Sequence, residues 1–187
     1  MGFVTARLNL RPMTADDLPA VAAMNADPEV MRHFPAPMTS EQSVAFMDRA
    51  AKGLERDGFG MLAAEWRDTR EFVGCIGLMV PAFAADFTPC VEVAWRVCRR
   101  YWRRGVATEA ALAVLGWGFF VCGLDEIVSF TYEGNTPSRR VMEKLGMRRD
   151  PNGDFLHPLL PAEHPLRPHV LYRLGRDEFV QLQGRAR

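Results

Sequence analysis

The run Arg99-Arg100-Tyr101-Trp102-Arg103-Arg104-Gly105-Val106-Ala107-Thr108-Glu109-Ala110 is the first place where residue types and spacing suggest chemistry. Five arginines fall between residues 96 and 104, then a glycine, then an apolar run with helical spacing. Free N–H groups at a helix N-terminus point towards an anion, and a glycine lets the backbone approach it closely. The run therefore has the physical character of a phosphate site, although an exposed basic strand end would look similar. No GxxxxGK[ST] and no GxGxxG occurs, so the P-loop and dinucleotide fingerprints are both missing. Tyr101 and Trp102 among arginines could stack nucleic-acid bases. The cluster is compact, however, and the rest of the chain is charge-balanced.

Two other sets of reactive side chains lack a pattern that would give them a role. His157, His164 and His169 lie in a Pro-rich segment at separations of seven and five residues, which match no standard zinc spacing. This segment could wall a pocket or merely lead rigidly into the last strand, and His157 or His169 could serve as a base. Cys75, Cys90, Cys98 and Cys122 form no CxxC and no metal-ligand set, so reduced thiols without a covalent role are expected.

The elements that must position these residues follow from periodicity. Strand alternation at Leu8 and Leu10 is followed by Thr14 as a helix cap with Asp17 three residues on. Asp27-Pro28-Glu29 starts a short helix, and Thr39 or Ser40 a longer one closing at Gly58. Phe59 to Trp66 and Phe72 to Val80, joined by Arg67-Asp68-Thr69-Arg70, predict an antiparallel hairpin. Val91 to Val97 alternates as a half-buried strand. Residues 104–122 carry a broad apolar stripe (Val106, Ala110, Val114, Trp117, Val121) and predict a largely buried helix. A strand at Ile127–Tyr132, a helix at Thr136–Leu145 and a strand at His169–Leu174 complete the chain. Residues 154–168 are expected to be an irregular loop, and residues 176–187 a C-terminal tail.

This mixture of hairpin and strand–helix repeats predicts an α/β (α+β) fold with a mixed, mostly antiparallel central sheet flanked by helices. The 187 residues suit a single domain spanning 1–187, with a core of about 5–175. Hydrophobic residues are 48% and charged ones 25%, as in ordinary globular proteins. Equal counts of 23 basic and 23 acidic side chains remove the broad electrostatic case for nucleic acid or a membrane surface. No apolar stretch is long enough to span a membrane, and the N-terminus lacks the pattern of a signal peptide. A cytoplasmic protein, monomer or homodimer, is expected.

Three segments, in order, resemble the GNAT superfamily of N-acetyltransferases, and within it the RimJ/RimL-like branch. They are Thr5-Ala6-Arg7-Leu8-Asn9-Leu10-Arg11-Pro12 with Asp27-Pro28-Glu29-Val30-Met31, the Gly105 run, and Asn135-Thr136-Pro137-Ser138 leading to Val141 and Lys144-Leu145-Gly146-Met147. The Gly105 run is similar to the pyrophosphate motif [Q/R]xxGx[G/A], with Trp102 at its first position. Met147 stands where the last motif has Phe.

The resemblance implies an open sheet, splayed at an acetyl-CoA site, and direct acetyl transfer to an amine without a metal. It implies that Arg103, Arg104, Gly105, Val106, Ala107 and Thr108 hold the pyrophosphate. Asn135 would contact the pantetheine arm or neighbouring backbone, and Ser138 would lie near the thioester sulfur. Such a reaction must deprotonate an ammonium group, so it needs a base or a water path. Glu92 is the candidate base, sharing a strand face with Ala94 and Arg96 rather than Trp95; an exposed carboxylate or an ion pair with Arg96 is the alternative. A strand N–H near Val97 would receive the oxyanion. Glu109 is expected to act structurally, at the helix dipole or in a salt bridge. By fold analogy Phe34, Met38 and Trp95 line the acceptor pocket. A non-catalytic acyl-CoA-binding sensor is the rival from another class.

Overall fold

The structure is a computed structural model and describes residues 2–185. Strand β1 (Phe3–Val4) pairs antiparallel with β2 (Leu8–Arg11), whose Leu8 and Leu10 are fully buried. A 3-10 turn then leads into α1 (Leu18–Ala26), with the Thr14 N–H donating to the Asp17 carboxylate at 2.8 Å. One turn of helix, α2 (Pro28–Met31), follows the Asp27 cap. Helix α3 (Ser40–Asp57) opens on a reciprocal Thr39–Gln42 capping box and ends at Gly58. These starts and stops match the capping residues read from the sequence.

The predicted hairpin is β3 (Met61–Trp66) with β4 (Phe72–Met79). Next come β5 (Glu92–Val97), α4 (Val106–Phe120), β6 (Glu126–Tyr132) and α5 (Thr136–Lys144). Two two-residue strands, β7 (Arg148–Arg149) and β8 (Phe155–Leu156), precede β9 (Pro168–Gly175) and α6 (Arg176–Arg185). The sheet order is β1-β2-β3-β4-β5-β6-β9-β7, with β8 also on β9. Every neighbouring pair is antiparallel except β5 and β6. The sheet is mixed and mostly antiparallel, as the hairpin demanded.

The two faces carry separate cores. Val106, Ala110, Val114, Leu115 and Phe119 of α4 pack on Ile76, Leu78, Val93 and Ile127, with α5 adding Met142. On the other face α1, α2 and α3 cover Met61 and Cys75 with Val21, Met24, Met31 and Ala50. Seating β5 against β4 requires Gly74, because a Cβ there would lie 2.3 Å from the Arg96 carbonyl oxygen.

Two boundaries differ from expectation. Helix α4 starts at Val106 rather than residue 104, because Arg103 (φ +61°) and Gly105 (φ +75°) are left-handed and cannot extend a right-handed helix. Most of the segment expected as a tail is α6, and it is tied down by Phe179, 2% exposed, whose ring lies tilted against that of Phe119 with centroids 5.2 Å apart. Val180 and Leu182 stay exposed, so α6 shows no broad apolar stripe in its sequence.

Candidate active site

The parallel pair β5–β6 is joined at one register point, Glu92 with Val128, where the Val128 N–H donates to the Val91 carbonyl at 2.9 Å. Beyond it the Ser129 hydroxyl reaches the Val93 carbonyl, and no further pairing follows among the described residues. The Cys98 N–H donates to Val73 of β4, so strand alternation turns the backbone of Trp95 and Val97 the other way, towards β6. The Trp95 and Val97 N–H groups thus face a wedge opening at the C-terminal ends of two parallel strands. Such crevices are where open α/β sheets accept ligands.

The loop between β5 and α4 forms one lip of the wedge. Trp102 binds it back to the strand, its indole N–H donating to the Val97 carbonyl at 2.8 Å. That gives a use for the one residue that departs from the [Q/R]xxGx[G/A] pattern. The left-handed Arg103 and Gly105 turn the chain so that α4 begins with the N–H groups of Val106, Ala107 and Thr108 unpaired within the helix. Arg103, Arg104 and Gly105 are exposed, and neither arginine has an ion-pair partner among the described residues. The Arg7 guanidinium lies 3.4 Å from where a Gly105 Cβ would be, so a cation missed by sequence reasoning also borders the loop. Arg7 is held there by Glu109, which accepts from its N–H at 2.8 Å and its Nε at 2.6 Å. Those bonds, with Thr5, hold the Glu109 carboxyl below the usual range, although burial alone would raise it. Glu109 is a structural partner here, as its position just after the motif suggested.

The other lip is the start of α5. Asn135 caps that helix by accepting from the Ser138 N–H at 3.3 Å. Its Nδ2 donates to Thr131 Oγ1 at 2.8 Å and to Ser138 Oγ at 3.1 Å. The amide is engaged with protein groups, and the half-buried Ser138 hydroxyl is fixed beside the end of β6.

Glu92 and Arg96 lie on the face covered by α1–α3, but they do not pair. Four residue steps along the strand separate their Cα atoms by about 13 Å. Glu92 is 8% exposed and has no hydrogen-bond or ion-pair partner among the described residues. Burial pushes its carboxyl up to about 8. The exposed carboxylate and the Arg96 ion pair are both corrected by this geometry.

The expected acceptor residues divide. Phe34 and Met38 come together around Arg96, whose guanidinium carbon is 4.4 Å from the Phe34 ring centroid and whose Nη1 is 3.8 Å from the Met38 sulfur. Trp95 is not with them: it packs against the α4 core on the opposite face. Alternation along β5 makes that separation unavoidable, and Arg96 occupies the position assigned to Trp95. His33 was also missed. Its ring lies tilted beside that of Tyr132 of β6, centroids 6.0 Å apart, while Arg32 lies over Trp102 at 5.5 Å, so this short segment reaches both the β5–α4 loop and the end of β6.

The Pro- and His-rich segment packs on Phe130 of β6 through its aromatic side chains. His157 and His169 lie 4.9 Å apart within a cluster containing Phe83, Phe87, Phe130 and Phe155. Burial, aided by the neighbouring His157, pulls His169 down to about 4 against an opposing hydrogen bond to Arg167, so it is neutral at physiological pH. No three His, Cys, Asp or Glu side chains converge as a metal site among the described residues. No helix there is long and apolar enough to cross a membrane.

Comparison with known proteins places this geometry in a family. The family model of the acetyltransferase (GNAT) domain matches residues 7–148. An uncharacterised N-acetyltransferase of Bacillus subtilis, YnaD, is 32% identical over 180 residues, covering 96% of this chain and 99% of the relative. The FsC-acetyl coenzyme A-N(2)-transacetylase of Aspergillus fumigatus is 30% identical over 192 residues, 96% of this chain and 78% of that protein. The crystal structure of a GNAT-family acetyltransferase from Bacillus anthracis superposes with a TM-score of 0.76 at 28% identity, covering 95% and 99% of the two chains. The chain belongs to the GNAT acetyltransferase family, and its fold is that family's single open-sheet domain. It is an acetyltransferase, and acetyl-CoA is the co-substrate its family uses.

Proposed function

We propose that this chain transfers acetyl from acetyl-CoA directly to a primary amine of a small molecule or a protein N-terminus, within the RimJ/RimL-like branch. The observation that carries the reading is the wedge between β5 and β6, bordered by the anion-accepting loop at Gly105 and the Ser138 hydroxyl. The N–H groups of Val106, Ala107 and Thr108, with Arg103 and Arg104, suit a pyrophosphate. The N–H groups of Trp95 and Val97, turned into the wedge from extended backbone, suit an amide-bearing arm. We place the enzyme in the cytoplasm.

Each residue then has a separate task. Glu92 takes the proton that an ammonium group must lose, directly or through water, so that the nitrogen lone pair can attack the thioester carbon. The Val97 N–H donates to the developing oxyanion, where fixed donors act strongly because they need no reorganisation. As the carbon–sulfur bond breaks, the Ser138 hydroxyl gives its proton to the leaving thiolate and is reprotonated from solvent, to which the attacking nitrogen releases its second proton. Ser138→Ala is therefore expected to lower kcat about 10-fold or more. Unchanged kcat and unchanged acetyl-CoA affinity in steady-state kinetics would remove Ser138 from the site.

Donor binding is tested by thermal unfolding with acetyl-CoA, with NADH and ATP as controls. A ligand at 100 times its Kd stabilises the native state by about 2.7 kcal/mol, or roughly 5–11 °C in Tm for a chain of this size. A rise specific to acetyl-CoA is the expected result, and none at millimolar ligand would sink the proposal.

A further inference from the structure

Arg96 is a half-buried cation whose Nε is buried and lacks an anion. Its Nη1 donates to Asn25 Oδ1 at 2.5 Å, and Asn25 Nδ2 is held in turn by the Ser43 hydroxyl at 3.1 Å, both residues being fully buried. Phe34 and Phe46 lie against the guanidinium at 4.4 and 5.3 Å. Its Nε is buried and has no partner, and no carboxylate comes within 4.0 Å of it among the described residues. A guanidinium presents five N–H donors in a rigid fork that fits a carboxylate with two parallel bonds. Here one neutral amide and one thioether meet them.

The surroundings make this unsatisfied fork more unusual. Burial pulls the Arg96 guanidinium down to about 10 against an opposing effect of Cys75, and Arg49 of α3, another cation, adds to the lowering. Arg96 therefore stays charged at neutral pH without local compensation. An unpaired buried charge is costly, and proteins ordinarily neutralise or pair it. Position supplies the reason to keep it. Arg96 lies between Trp95 and Val97, whose N–H groups enter the wedge, and it projects onto the face that carries Glu92, Phe34 and Met38.

Resting on the acetyl-transfer reading above, we propose that Arg96 anchors a carboxylate of the acceptor, so that the substrate class is an amine carrying an acid group, such as an amino acid. The carboxylate takes the free edge of the fork, Phe34 and Met38 cover its apolar body, and the amine is left to reach the wedge. Charge complementarity then selects against plain alkylamines, which leave Arg96 without an anion, and against polyamines, which bring a further ammonium group towards Arg96 and Arg49.

The test keeps donor and acceptor apart. Calorimetric acetyl-CoA binding to the full chain and to Arg96→Gln is measured first, and a Kd within threefold shows a folded variant with its donor site intact. Thiol release is then followed over matched pairs: amino acids with their amides, and ω-amino carboxylates with the corresponding alkylamines. The expected result is a kcat/KM at least 10-fold higher for the acid member of a pair, with that advantage falling to near unity in Arg96→Gln. Arg96→Met, which keeps much of the packing volume, is expected to match or exceed the wild-type Tm while losing the same selectivity. Equal or better turnover of the neutral members, an acid preference that survives in Arg96→Gln, or no turnover of any pair while acetyl-CoA binds would each overturn the assignment. Failure of acetyl-CoA to bind at all would instead remove the acetyl-transfer reading on which it rests.

Discussion

Glu92→Gln should lower kcat by about 10²–10⁴, the usual contribution of a positioned general base, and abolish the break in the pH–rate profile near 8. The carboxyl sits at about 8 because burial disfavours its charged form and no cation offsets the cost. Only ionised Glu92 can accept a proton, so activity through this group rises with pH and levels off above about 8. An acceptor amine of higher pKa adds its own continuous rise, which the variant retains. The break is the part that belongs to Glu92.

Stability should run the opposite way. The folded carboxyl titrates near 8 and the unfolded one near 4.5, so between these values the native state holds a proton the unfolded chain has released. Its contribution to stability is fully present below about 4.5 and is lost as pH rises towards 8. Glu92→Gln cannot ionise, so its Tm should exceed wild type increasingly from pH 5 to 8.5. A variant more stable yet far less active is the mark of a group retained for chemistry. Full activity in Glu92→Gln, with the break intact, would transfer the base to water or to another group.

How much of this was legible depended on whether the signal was local. The stripe Val106, Ala110, Val114 is a property of one helix and placed α4 almost correctly. Capping at Thr39 and the turn at Arg67–Arg70 are equally local, and they fixed α3 and the hairpin. Strand alternation also put Glu92 and Arg96 on one face. What the sequence could not say was which face α1–α3 cover, because that is set by contacts between residues some 70 positions apart, such as Arg96 with Asn25. Trp95 therefore lies on the face opposite Phe34 and Met38, and Arg96, the alternative partner for Glu92, turns instead to Asn25. The strands at Arg148–Arg149 and Phe155–Leu156 are too short for any periodicity, and β9 alone recruits them.

Gly105→Val should weaken acetyl-CoA binding at least 30-fold in calorimetry, and a second variant, Gly105→Asn, tells why. The backbone at Gly105 has φ +75°, a conformation that a β-branched residue adopts only with strain. Asn tolerates it far better, and Arg103 two residues earlier already sits at φ +61°. The folded chain has room for a side chain: a Cβ at Gly105 would meet only the end of Arg7, at 3.4 Å. Space within the protein therefore does not require glycine at this position. If the loop exists to bring its N–H groups against a pyrophosphate, any side chain there intrudes on the ligand, and Asn should lose affinity nearly as Val does while keeping a wild-type Tm. If Asn instead binds acetyl-CoA normally, the glycine serves only the turn, and the phosphates must be held elsewhere along α4. The expected outcome is the first, because Arg7, Arg103, Arg104 and the helix N-terminus all bring positive charge to the side of Gly105 that is open.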